Sequence, residues 1–209
     1  MEVLILSKTN LGGNNVFVGG MVLENKQYIR LLNPDGWHPY LDTEYQIGQV
    51  WNIDFQKVEN LSDPHNEDVI VESQSYIRSI DDLSGFILQS GAHIWRGSID
   101  HLFDSRLLWA EAGAGYISEL QRNIPKHSEG FWINDRPINY EKDGHYLYLP
   151  AYRHASKRKM KYKGLAQARA SIPAHTLLRV SLARWWKPEG SVDEKRFCVT
   201  NQVRVEIFF

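Results

Sequence analysis

Residues 64–68, Pro64-His65-Asn66-Glu67-Asp68, put an imidazole and two carboxylates within four positions. Side chains of these types can hold a divalent cation or move protons in a hydrolytic step. On that reading the chain is a metal-dependent hydrolase or nuclease working through His65, Glu67 and Asp68. The competing reading is a polar turn in which these groups bond the backbone around them, as Asx residues do. A metal site needs a second ligand cluster, and the other candidates, His93, Asp100, His101 and Asp104, fall in a different stretch of the chain. The turn reading is therefore preferred, with no metal, no cofactor and no catalytic residue. Arg30 lies in an apolar run, Tyr28–Leu32, before the turn Pro34-Asp35-Gly36. It can face a phosphate or pair with a carboxylate such as Asp54. Buried arginines need a partner, which favours the ion pair.

A second kind of chemistry is electrostatic. Between Asp143 and Glu189 there is no acidic residue, while Arg153, Lys157, Arg158, Lys159, Lys161, Lys163, Arg169, Arg179, Arg184 and Lys187 supply ten positive charges. The net charge of −1 thus hides a polarised molecule, since residues 1–143 hold 11 basic and 21 acidic side chains. A local positive field of this kind attracts polyanions, of which phosphate backbones are the commonest. Tyr152, Met160 and Tyr162 interleave with the cations, and basic groups for phosphates beside aromatic faces for bases make the pattern of single-stranded nucleic-acid sites. Trp185 and Trp186 follow Arg184. Adjacent strand residues face opposite sides, so only one of the two tryptophans points into a core. The other, with Arg184, can stack on a base. Two plainer readings compete: Ser156–Lys163 is a solvated connector, or the basic face docks an acidic protein.

These residues need elements to position them. Val3–Leu6, Val16–Leu23, Tyr28–Leu32, Val50–Phe55 and Val69–Ser73 are short, β-branched and aromatic runs separated by Gly, Asn and Pro clusters, and read as strands. Ile80–Leu88 and Ile99–Phe103 have helical spacing, with Ser79 and Ser98 as candidate N-caps. After Ala112-Gly-Ala-Gly115 the strand pattern returns in Tyr116–Leu120, Gly130–Asn134, His145–Leu149, Leu177–Trp186 and Arg196–Phe209. The economical architecture is mostly β: two OB-like five-stranded barrels, over residues 1–78 and 116–209, joined by a helical connector over 79–115. Of seven tryptophans, Trp51, Trp109 and Trp132 are assigned to packing.

The chain has 209 residues, 43% of them hydrophobic, enough to bury a core. A single cysteine, Cys198, excludes an internal disulfide and a cysteine-based zinc site. The amino-terminal run lacks the basic flank and length of a signal peptide, and no stretch approaches about 18 apolar residues. A cytoplasmic protein with no membrane partner is the expectation. The glycine pairs Gly12-Gly13 and Gly19-Gly20 form neither a Walker nor a dinucleotide fingerprint, and no nucleophile elbow is present.

Three stretches carry a resemblance: Tyr28-Ile-Arg-Leu-Leu-Asn-Pro-Asp-Gly36, Pro64-His-Asn-Glu-Asp-Val69 and Leu178-Arg-Val-Ser-Leu-Ala-Arg-Trp-Trp186. Over nearly its whole length the chain resembles the bacterial family of dual OB-containing domain proteins. Where that family has an Ile-Arg-Pro turn, this sequence reads Ile29-Arg30-Leu31. The resemblance implies two OB folds and a role in recognising nucleic acid or nucleotides, often in the setting of prokaryotic defence systems. It brings no catalytic residue. The expectation is a non-catalytic module binding single-stranded nucleic acid through its carboxy-terminal half.

Overall fold

The computed structural model describes residues 1–118, 124–152, 156–186 and 203–207. Two compact units divide the chain, one of residues 1–92 with 164–166 and 209, the other of 93–163 and 167–208. Among the described residues no helix is long and apolar enough to cross a membrane.

The first unit is a closed barrel of five strands: β1 (Glu2–Gly12), β2 (Asn15–Val22), β3 (Tyr28–Leu32), β4 (Gln49–Lys57) and β5 (Asp68–Ser79), in the order β1-β2-β3-β5-β4. β1 closes the ring by pairing with β2 along its length and with β4 through Glu2–Leu4. The β3–β5 pair is parallel, with Arg30 opposite Asp68, whereas its other pairs are antiparallel. Such a barrel forms because alternate residues of each strand are aliphatic or aromatic, most of them β-branched: Val3, Ile5, Val16, Val18, Ile29, Leu31, Trp51, Ile53, Val69 and Val71 make one buried cluster. Gly20 has a packing reason. A Cβ there would come within 2.6 Å of Val3 Cγ1, so only glycine lets β2 approach β1 at this point.

One helix, α1 (Leu83–Gln89), follows β5. Its cap is Asp82, whose Oδ1 accepts from the Gly85 N–H at 2.8 Å, and not Ser79, which ends β5. Ser98 does cap, accepting from the Asp100 N–H at 3.3 Å before the 3-10 turn Ile99–His101. That turn runs into Leu102–Ser105, where Phe103, Asp104 and Ser105 take positive φ, so the expected helix over Ile99–Phe103 is a tight corner.

In the second unit the strands are β6 (Ile94–Gly97), β7 (Leu108–Trp109), β8 (Gly115–Tyr116), β9 (Glu129–Asn134), β10 (Ile138–Tyr140), β11 (His145–Tyr148), β12 (Arg158–Tyr162), β13 (Ser171–Ile172), β14 (Leu177–Leu182) and β15 (Val203–Ile207). Eight of them form a sheet in the order β13-β10-β11-β12-β15-β14-β9-β6, and β7 and β8 form a separate hairpin. The sheet order contains the first barrel's ring. β9 runs through a short bend, residues 135–137, into β10, so the two are the halves of one bent strand that pairs with β14 at one end and β11 at the other. Taking β9–β10 as the first strand, β11, β12, β14 and β15 follow in the order seen before, and β12–β15 is parallel as β3–β5 is. Two OB-like units of five principal strands result, the second extended at its edges by β6 and β13. Its core gathers Trp95, Phe103, Trp132, Tyr146, Tyr148, Met160 and Leu178 among others. Trp51 and Trp132 are buried, and Trp109 packs against this core.

Sequence reading found ten strand segments, and the structure adds β6, β7, β10, β12 and β13. All five are short, two to five residues, and lack an aliphatic run. The strand expected over Leu177–Trp186 stops at Leu182; of the one expected over Tyr116–Leu120, Tyr116 belongs to β8 and residues 119 and 120 lie outside the described residues, as do 196–202 and 208–209 of the one expected over Arg196–Phe209. Arg153, Lys187 and Cys198 lie outside the described residues.

Candidate functional site

The segment for which a solvated connector is the competing sequence reading contains β12, between β11 and β15. Its register, Tyr146 opposite Met160 and Tyr148 opposite Arg158, places Arg158, Met160 and Tyr162 on the inner face with the buried tyrosines. Lys159 and Lys161 then face outward, opposite Leu147 and His145. Lys157, exposed, immediately precedes the strand and Lys163 immediately follows it. At about 3.4 Å rise per residue, successive outward lysines stand about 7 Å apart along the strand. Arg204 is the register partner of Lys161 on β15.

The start of β12 is held by the β7–β8 hairpin. The Gly113 carbonyl at its tip accepts from the Lys159 N–H at 2.7 Å, and Ala114 bridges to Lys159. Gly113 has φ +90°, and a Cβ there would run into the Lys157 carbonyl oxygen. From the same hairpin Trp109 lies under the Arg158 guanidinium, 4.5 Å from ring centroid to Cζ, while Asp100 stands 3.5 Å from its Nε. Arg158 is thus committed to packing. Tyr162 sits edge-on to Tyr146 at 5.7 Å and to Tyr140 at 6.3 Å, inside rather than available to a base. Burial raises the Tyr146 hydroxyl to a pKa of about 12, so it stays a proton donor, bonded to the Arg169 carbonyl at 3.0 Å.

On the outer face Lys159 donates to Asp143 Oδ2 at 3.0 Å, and His145 Nδ1 lies 3.1 Å from the same carboxylate. That hydrogen bond from Lys159 holds the Asp143 carboxyl below the usual range. Among the described residues the exposed aromatic groups of this unit are Tyr152, 76% exposed, in the β11–β12 connection that leads to Lys157, Trp186, 56% exposed, beyond the end of β14, and Tyr140, 37% exposed, on β10 beside Tyr146 and Tyr162. Trp185 packs against the core and Trp186 is exposed, but both lie past the end of β14, so strand alternation is not what separates them. Arg184 is half-buried beside them and Arg169 is exposed.

The turn Pro64–Asp68 serves Arg30. Glu67 and Arg30 are bonded side chain to side chain, Asp68 Oδ1 lies 3.3 Å from Arg30 Nη1, and His65 Nδ1 lies 3.4 Å from Glu67 Oε1. All four residues are buried. Phe17 covers the guanidinium, 5.0 Å from its ring centroid. Asp54, the partner expected from sequence, instead accepts from Ser73 Oγ at 2.9 Å across β4–β5. The cluster therefore fastens the β4–β5 connection to β3. Among the described residues no three His, Cys, Asp or Glu side chains are gathered to hold a metal. A matching buried pair, Arg179 with Glu129, ties β14 to β9 in the second unit. Sequence reading missed it, although Arg179 was visible as a lone charge in an apolar strand.

Both OB-like units follow one strand order, and the family profile of the dual OB-containing domain matches residues 1–201. The chain belongs to the dual OB-containing domain family. Comparison with curated proteins gives no match. In OB folds the outer face of strands two and three, flanked by the loops after strands one and four, is where oligonucleotides and oligosaccharides bind. In the second OB unit of this protein those strands are β11 and β12, and the lysine row lies on that face.

Proposed function

We propose that this dual OB-containing protein is a non-catalytic module that binds single-stranded nucleic acid on the outer face of β11–β12. What supports the reading is the placement of Lys157, Lys159 and Lys161: among the described strands the most basic is strand three of an OB unit, with Lys159 and Lys161 turned outward and Lys157 exposed just before it. The lysines neutralise phosphates and supply affinity that does not depend on sequence. Tyr152 and Trp186 offer faces on which bases stack, each on a connection adjoining the basic strand or its neighbours. Lys163, Arg169 and Arg184 add positive charge to the field, whereas Arg158, Arg179 and Tyr162 hold the unit together. A role within a prokaryotic defence system follows from the family resemblance and belongs to the same proposal.

The test is a fluorescence titration of labelled single-stranded DNA, single-stranded RNA and duplexes of equal length at two salt concentrations. Single strands are expected to bind more tightly than duplexes, and binding to weaken steeply with salt. Absence of binding to every oligonucleotide at low salt would sink the reading.

A further inference from the structure

The first OB unit has the opposite charge. With five Lys and Arg against thirteen Asp and Glu it carries −8, so a phosphate backbone is repelled from it. It nevertheless has a cleft of about 260 Å³, walled by Leu31, Leu32, Pro34 and Val71 and bordered by Glu72 and Gln74. No basic side chain lines it. The volume is below the range of cofactor and drug-sized pockets, which run from about 300 to 1,000 Å³. Apolar walls with a carboxylate and an amide at the rim match a side chain that has an aliphatic stem and a cationic tip. Gln56 Nε2 donates to Glu72 Oε1, which steadies the carboxylate, and Asp54, bonded to the neighbouring Ser73, puts a second one close by.

The β3–β4 connection that contributes Pro34 to the cleft also carries Trp37, Tyr40 and Leu41, which are 69%, 55% and 47% exposed. These are not on a loose loop. Pro39 and Asn14 carbonyls accept from Val16 and Leu41 N–H groups at 2.9 Å, and Tyr40 bridges to Asn15. Asp35, Asp42 and Glu44 are interspersed among them. Fixed aromatic and aliphatic groups within a charged rim are what interface hot spots are made of.

We infer that the first unit docks a basic polypeptide segment, with one of its arginine or lysine side chains in the cleft and its apolar residues on Trp37, Tyr40 and Leu41. The site is independent of the nucleic-acid face. Charge complementarity selects the occupant: acidic proteins and nucleic acids are repelled, and an uncharged apolar partner leaves Glu72 and its neighbours without a counter-ion.

The experiment uses the full chain and two fluorescein-labelled synthetic peptides, one alternating arginine with leucine and one with glutamate in place of arginine. The arginine peptide binds and the glutamate peptide does not. Glu72→Gln, which keeps the size and the bond from Gln56, weakens the arginine peptide about tenfold, the scale of a charged hydrogen bond, with the unfolding midpoint unchanged. Trp37→Ala weakens it to a similar degree, and alanine at Lys157, Lys159 and Lys161 leaves it unchanged, which separates this site from the nucleic-acid face. The inference is overturned if the arginine peptide fails to bind at low salt. It is equally overturned if both peptides bind alike, or if Glu72→Gln and Trp37→Ala bind as the parent does, since either result marks undirected attraction to an acidic surface.

Discussion

Asp143 is the residue that moderates the basic face. Its carboxylate accepts from Lys159, so one of the outward lysines is partly neutralised before any phosphate arrives. Asp143→Asn removes that competition, and nucleic acid is expected to bind several-fold more tightly at low salt, measured by titration. Lowering the pH does not reproduce the effect near neutrality. A carboxyl whose folded pKa is depressed stays ionised above its unfolded value, and its pair is lost only as the pH falls through the lowered folded pKa. Arg30 and Glu67 obey a different rule because both are buried. Removing one member strands the other, so Glu67→Ala is expected to cost about 3 kcal/mol in chemical denaturation. Replacing the pair together by apolar residues of similar size should cost less, since no charge is left uncompensated. Trp186→Ala is expected to weaken single-strand binding by about 1–3 kcal/mol without altering its salt dependence.

At the scale of elements, what decides legibility is whether a strand is a run made mainly of aliphatic and aromatic residues rather than of charges with apolar residues between them. Tyr28–Leu32 matches β3 end to end because Ile29 and Leu31 fill the barrel and Asn33-Pro34 follows. β12 was hard to see. Its inward residues are Arg158, Met160 and Tyr162, and the arginine is made compatible with that side by Trp109 and Asp100, roughly fifty positions earlier in the chain. Lys-Met-Lys-Tyr-Lys does alternate with period two, yet the charges outweigh the pattern. The same distance effect hid the partner of Arg30, since Glu67 and Asp68 approach it only through the parallel β3–β5 register. Gly113 tests the positioning of β12 directly. Gly113→Val meets both a left-handed φ and the Lys157 carbonyl, so it is expected to destabilise the second unit and weaken nucleic-acid binding together. Unchanged affinity in a folded Gly113→Val protein would mean that the hairpin does not set the lysine row.

For the whole molecule, the division of charge coincides with the division into units. The first carries −8 and the second, with nineteen Lys and Arg against twelve Asp and Glu, carries +7. The overall −1 says nothing of either face. The acid-free segment was legible as composition. Which of its cations are outward was not, because that depends on the β11–β12 register. The central claim is that these outward lysines meet phosphates, and the slope of log affinity against log salt reads that number directly. Each phosphate contact on a single strand contributes about 0.7 to the slope, so replacing Lys157, Lys159 and Lys161 by alanine should flatten it by about 2. An unchanged slope with unchanged affinity in a folded triple variant would contradict the account.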